Sequence, residues 1–167
     1  IKTFNAVNNY QIINFILPNQ NYLCIKYIMG KVLEIGISEN KSNKIVNVNE
    51  VEAIKGMGLV GEKHFKKNNN QRSQITLIEI ENINHYNKIT GTQIPAINFL
   101  RNIVTEGVRL NVLVGKEFFI GKVKVRANDL CRPCKNLQES FKQKNTVKEL
   151  LYTGGLRCEV LCSGKIF

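Results

Sequence analysis

Val123 and Val125 alternate strictly with Lys122, Lys124 and Arg126 in the stretch "EFFIGKVKVRA". A period of two sends successive side chains to opposite faces, so this segment belongs in a sheet with one apolar face and one wet face. Leu110, Val112 and Val114 carry the same spacing just upstream, and Gly115-Lys116-Glu117 offers a turn between the two runs. A meander of half-buried antiparallel strands is expected there.

The rest of the chain adds to that pattern. "MGKVLEIGIS" places Val32, Leu33, Ile35 and Ile37 as a first buried strand, and "QITLI" reads as another, followed by a helix-like stretch that Gly91 can terminate. "TVKELLYTGG" reads as a short helix, with Thr146 and Glu149 as a capping box and Gly154 in the left-handed position past its end. "LRCEVLCSGKIF" closes the chain as a strand and turn. Strands with a few short helices and no βαβ rhythm predict a mostly β, barrel-like domain.

A chain of 167 residues suits one domain with a core of its own, and 43% hydrophobic with 22% charged residues suits a globular protein. No apolar run approaches the roughly 20 residues a membrane-spanning helix needs. Residues 1–28, rich in Asn and Ile and too polar for a signal-peptide core, read as a poorly specified N-terminal extension to a domain at 29–167. Met29 is a candidate biological start, an expectation that loss of folding on deleting residues 1–28 would refute.

A net charge of +11 points to an anionic partner. The lysines are scattered singly and form no block of like charge, which argues against a nucleic-acid tail. A salt-dependent grip on a polyanion is the alternative binding reading. Five cysteines cannot all pair within one chain, and their spacing lacks the regularity of a secreted scaffold, so a reducing cytoplasm is expected.

"NDLCRPCKNL" concentrates the chemistry. Cys131, Cys134, Cys158 and Cys162 could together form a zinc site, but a strand over "RCEVLC" would hold Cys158 and Cys162 on one face about 13 Å apart, too far to share an ion. A thioredoxin-like pair is disfavoured by the short remaining chain and the antiparallel meander before it. The third reading is one reactive thiol: Arg132 and Lys135 flank Cys134, and nearby cations favour a thiolate. For Cys24, Cys158 and Cys162 the expected role is buried apolar filling.

Upstream, Gly56, Gly58 and Gly61 surround a polar cluster and mark tight turns, without the order of a nucleotide-binding fingerprint. His64 follows as a candidate acid, base or anion contact, or else a structural hydrogen-bonding residue. Arg72, Arg101 and Arg157 are the basic-pocket candidates, with surface ion pairs as the competing reading.

The succession "GLVGEKHF", "RSQITLIEIE", "LRNIVTEGVRLNVLVGKEFFIGKVKV", "CRPCKNL" and "GGLRCEVLCSGKI" resembles the MOSC domain, the C-terminal domain type of molybdenum cofactor sulfurases, over roughly residues 29–167. That resemblance implies a β-barrel-type fold and a role in binding molybdenum cofactor (molybdopterin) or handling activated sulfur. It places Cys134 as the functional thiol, a persulfide carrier or molybdenum ligand, with Cys131 as a resolving neighbour or a bystander. Arg101 and Asn102 match the segment that lies against the pterin phosphate in cofactor-binding relatives, a group suited to a guanidinium fork.

Arg72, His64 and Arg157 complete the expected cofactor-binding set. Gly61-Glu62-Lys63-His64 stands where the family usually has Gly-Asp-x-His, which leaves the role of Glu62 open. The resemblance does not extend to the aminotransferase-like domain of larger relatives, so no pyridoxal phosphate site of its own is expected. A cysteine desulfurase-type donor or a molybdoenzyme acceptor is the expected partner.

Overall fold

The structure, a computed structural model, describes residues 13–14, 30–38, 45–66 and 70–167. Cys24, Met29 and most of the 1–28 extension lie outside the described residues. Eleven strands are present among the described residues: β1 (Ile13–Asn14), β2 (Lys31–Ile37), β3 (Val46–Val48), β4 (Val51–Ile54), β5 (Gly58–Leu59), β6 (Ile75–Glu79), β7 (Ile103–Glu106), β8 (Glu117–Ile120), β9 (Val123–Leu130), β10 (Leu156–Cys162) and β11 (Gly164–Ile166). Three helices accompany them: α1 (Ile80–Thr90), α2 (Lys135–Phe141) and α3 (Thr146–Glu149).

Eight strands form one sheet in the order β1-β8-β9-β10-β6-β7-β2-β3, and β11-β4-β5 form a second. The large sheet ends on β1 and β3 among the described residues, so the expected mostly β domain with short helices holds while the sheet stays open rather than closing into a barrel. Most pairs are antiparallel, but β6 and β7 are parallel. A parallel pair needs a long crossover, and α1 supplies it. The chain therefore contains one βαβ unit that its strand-rich pattern concealed.

Alternation decides which side of the large sheet each residue serves. Ile75 and Leu77 of β6, with Val123, Val125 and Ala127 of β9 and Leu156, Cys158 and Val160 of β10, enter a core shared with Val51, Ala53, Leu59 and Ile166 of the small sheet. Ile78 and Val104 face the other way, against Ile83 and Tyr86 of α1 and Leu137 of α2. Strand β2 keeps Val32, Ile35 and Ile37 all inward because its pairing with β7 shifts register between Val32 and Glu34; Leu33 is left exposed, contrary to the buried role expected for it.

Two local expectations are corrected. Leu110–Leu113 is a 3-10 turn, not a strand, so Leu110 and Leu113 are buried while Val112 and Val114 are exposed. Three residues per turn, not two, governs that stretch. Helix α3 starts from Asn145 with no side-chain cap, and Thr146 is fully buried with its hydroxyl on that of Tyr86 at 2.8 Å. The left-handed glycine is Gly155 (φ 105), not Gly154. Gly56, Gly58, Gly61 and the helix stop Gly91 do adopt positive φ.

Candidate functional site

The segments singled out along the chain converge around the β6–β10 seam. Register pairs Arg157 with Thr76 on one side and with Asp129 on the other, so Thr76, Arg157 and Asp129 form a polar row across three strands. Their neighbours Leu77, Leu156 and Cys158 point to the opposite, apolar face. Asn102, just ahead of β7, extends the row. Its Oδ1 accepts from the Thr76 N–H (3.0 Å) and hydroxyl (2.9 Å), and its Nδ2 donates to the Gly36 carbonyl and to Glu62 Oε2.

Glu62 Oε2 also accepts from the Ser38 N–H at 2.9 Å. That carboxylate therefore pins the end of β2 and the start of β7 together. A cleft of about 230 Å³ opens here, lined by Lys63, His64, Ser73, Gln74, Thr76 and Asn102, together with Ser38, Ile45, Glu62 and Leu100. His64 and Asn102 thus share one cavity, while Arg72, Arg101 and Arg157 do not line it.

Arg101 is buried at 9% exposure, with Nε donating to the Gly154 carbonyl (2.8 Å) and Nη1 to the carbonyls of Phe99 (3.2 Å) and Leu100 (3.1 Å). Those acceptors are neutral, and no ion pair among the described residues includes Arg101, so its charge is buried without a carboxylate. A buried cation of this kind creates a standing preference for an anion. The same contacts hold Leu100, a non-glycine residue at φ 59, in its left-handed conformation. Such strain persists only where neighbours over-determine it.

Arg72 and Arg157 sit apart from Arg101 and share one acceptor. Arg72 reaches Asp129 Oδ2 through Nε (3.0 Å) and Nη2 (2.7 Å), and Arg157 Nη1 lies 3.7 Å from the same oxygen. Asp129 Oδ1 is buried without a hydrogen-bond partner among the described residues.

The cysteine loop is attached to this framework through the glycine pair. Cys131 N–H donates to the Gly155 carbonyl at 2.7 Å, and Gly154 packs against the Cys131 carbonyl and Pro133. Arg101, Gly154-Gly155 and Cys131-Pro133 therefore form one chain of contacts. Cys131 is buried, whereas Cys134 is exposed at the position preceding α2 and does not line the 230 Å³ cleft.

The other two cysteines separate. Cys158 is fully buried, and burial, then the nearby Cys131 and Asp129, push its thiol far above the ordinary range. Cys162 is exposed, not the buried filler expected, because the β9–β10 register slips between Val160 and Cys162 and breaks the shared face with Cys158. Among the described residues, no three His, Cys, Asp or Glu side chains converge as a metal site, which leaves the four-cysteine zinc reading without a geometry.

Thr76, Gln74, Ser73, Ser38 and Asp129 were not anticipated as site residues. Thr76 was discernible as the polar break in "QITLI", and Asp129 as the residue that strand pairing sets opposite Arg157. Ser38, brought in by a contact 24 residues away with Glu62, left no local signal.

The MOSC domain model matches residues 61–166, and the chain belongs to that family. Solved structures agree on the fold. The YuaD protein from Bacillus subtilis is similar at TM-score 0.69 and 19% identity, with 83% of this chain and 91% of that one covered. YiiM from Geobacillus stearothermophilus gives TM-score 0.67 and 18% identity over 82% of this chain and 70% of that one. YiiM from Escherichia coli gives 0.61 and 19% over 80% and 64%. A search of curated proteins finds no match.

Proposed function

We propose that this MOSC domain binds the phosphate-bearing end of molybdenum cofactor at the cleft beside Asn102 and presents Cys134 as the thiol that meets the metal or carries sulfur. The MOSC family is one linked to molybdenum cofactor. The observation that carries the reading is Arg101: a buried guanidinium with no carboxylate, adjoining cleft residue Leu100 and joined through Gly154 to the cysteine loop.

The donor set fits a phosphorylated heterocycle. Lys63 and His64 supply cationic or ring N–H groups, Ser38, Ser73 and Thr76 supply hydroxyls, and Gln74 lends an amide. Asp129, whose Oδ1 has no donor among the described residues, holds Arg72 and Arg157 at the neighbouring end of the row. When bound, the cofactor would supply a molybdenum centre for oxygen or sulfur chemistry. The chain's own contribution is to hold phosphate by charge-assisted hydrogen bonds and to keep the Cys134 thiol exposed on the loop that Gly154 joins to Arg101.

Sulfur loading on Cys134 has a simple balance. The Cys134 thiolate attacks the terminal sulfur of a donor persulfide, a new S–S bond forms, and the donor leaves as its own thiolate. The surrounding loop favours this role for Cys134 over Cys131, which is buried and tied to Gly155. Incubation with a cysteine desulfurase and cysteine, followed by intact mass measurement, should add one sulfur atom to wild type and none to Cys134→Ser. Equal loading of the variant would sink the sulfur-carrying role.

A further inference from the structure

A second cleft lies on the helical side of the molecule and shares no lining residue with the first. It opens between the last two turns of α1 and the connection from α2 to α3, with a volume of about 780 Å³, within the usual range for small-molecule sites. His85, Ile89 and Thr90 form one wall; Lys142, Lys144 and Asn145 form the other, and Glu149 is the carboxylate among the lining residues.

Several bonds hold the walls in place. Tyr86, on α1, meets the buried Thr146 hydroxyl at 2.8 Å, and Thr146 also donates to the Gln143 carbonyl at 3.2 Å. Asn145 accepts the Glu149 N–H through its backbone at 3.0 Å. Lys142 ends α2 at φ 54, a left-handed conformation that glycine would adopt more readily.

The cleft carries two lysines against the single carboxylate of Glu149. The ion pairs among the described residues engage Lys31, Lys124, Lys165, Arg72, Arg126 and Arg157, and neither Lys142 nor Lys144 takes part in one. Two lysines two residues apart stand opposite an imidazole and the half-exposed Ile89. Ammonium groups suit phosphate oxygens as point charges, while the His85 ring and Ile89 offer a flat, partly apolar surface for a ring.

We infer that this cleft is a second ligand site, taking a small organic phosphate of the nucleoside monophosphate kind, with phosphate on Lys142 and Lys144 and its ring against His85 and Ile89. It is independent of the molybdenum cofactor reading.

The test is a titration of the whole chain with adenosine monophosphate, followed by backbone amide NMR and calorimetry, on wild type, Lys142→Gly with Lys144→Gln, and Cys134→Ala. Glycine at 142 relieves the left-handed backbone, so the double variant keeps its fold. The inference requires saturable binding, amide shifts confined to residues 85–90 and 142–149, affinity reduced at least about tenfold in the double variant, and no change in Cys134→Ala. It is overturned if binding does not saturate, if the double variant binds equally well, or if shifts fall at Lys63 and His64 instead. It is also overturned if single-stranded RNA binds through the lysines while adenosine monophosphate does not.

Discussion

Side chains of one chemical type meet different fates according to the face on which they fall. Cys158 and Cys134 are both free thiols, but Cys158 lies in the core and is held neutral by burial while Cys134 stands in solvent. Alkylation of native protein at pH 8 followed by peptide mapping should therefore modify Cys134 and Cys162 and spare Cys131 and Cys158 until denaturant is added. Modification of Cys158 in the native fold would contradict the packing described. The glycines divide in the same way. Gly91 and Gly155 both have positive φ, but a β-carbon at Gly91 meets nothing within 4 Å, whereas one at Gly155 would run into the Leu77 carbonyl. Gly91→Ala should cost about 1–2 kcal/mol from backbone strain alone. Gly155→Ala should cost more, with a lower urea midpoint than Gly91→Ala; equal midpoints would show that the close approach to Leu77 carries no weight.

At the scale of elements, α1 is positioned by a carboxylate at its start. Glu79, at 9% exposure, accepts the Leu110 N–H on Oε1 at 2.6 Å, and burial pushes its carboxyl above the ordinary range, with the Leu110 bond opposing. The folded state therefore holds the proton more tightly than the unfolded chain. The associated stability is present below the usual carboxylate range and is lost as pH rises through the elevated value. Glu79→Gln keeps the acceptor but cannot ionise, so its stability relative to wild type should improve between about pH 4 and pH 7 in urea unfolding. A constant difference across that range would contradict the assigned titration. The same elements show what a single sequence discloses. Val123 and Val125 announced β9 because alternation survives where one face is wet. Leu110–Leu113 misled because its apolar residues at 110, 112 and 114 mimic a strand while tertiary contacts bury 110 and 113 instead. Helix α2 was not anticipated, and the Thr146–Glu149 box failed because Thr146 spends its hydroxyl on Tyr86, 60 residues away, and not on its own helix.

For the molecule as a whole, the family motifs indicated which segments matter, and strand order explains why they meet. Asn102, Thr76 and Arg157 come from three segments that become neighbours only through the β7-β6-β10 order, which a linear reading does not display. Sequence reasoning named the cofactor candidates along the chain but could not see that Asp129 ties Arg72 to Arg157, or that Arg101 turns two nitrogens toward main-chain carbonyls. Those facts are made by packing between distant residues. The central claim is that the Arg101 framework and the Cys134 loop serve one cofactor. Molybdenum and pterin should be measured in protein purified anaerobically from cells that make the cofactor, for wild type, Cys134→Ala and an Asn102→Ala variant of verified fold. The account predicts both in wild type, loss of metal retention in Cys134→Ala, and loss of both when Asn102 is removed; wild type free of both, or variants that retain them equally, would contradict it.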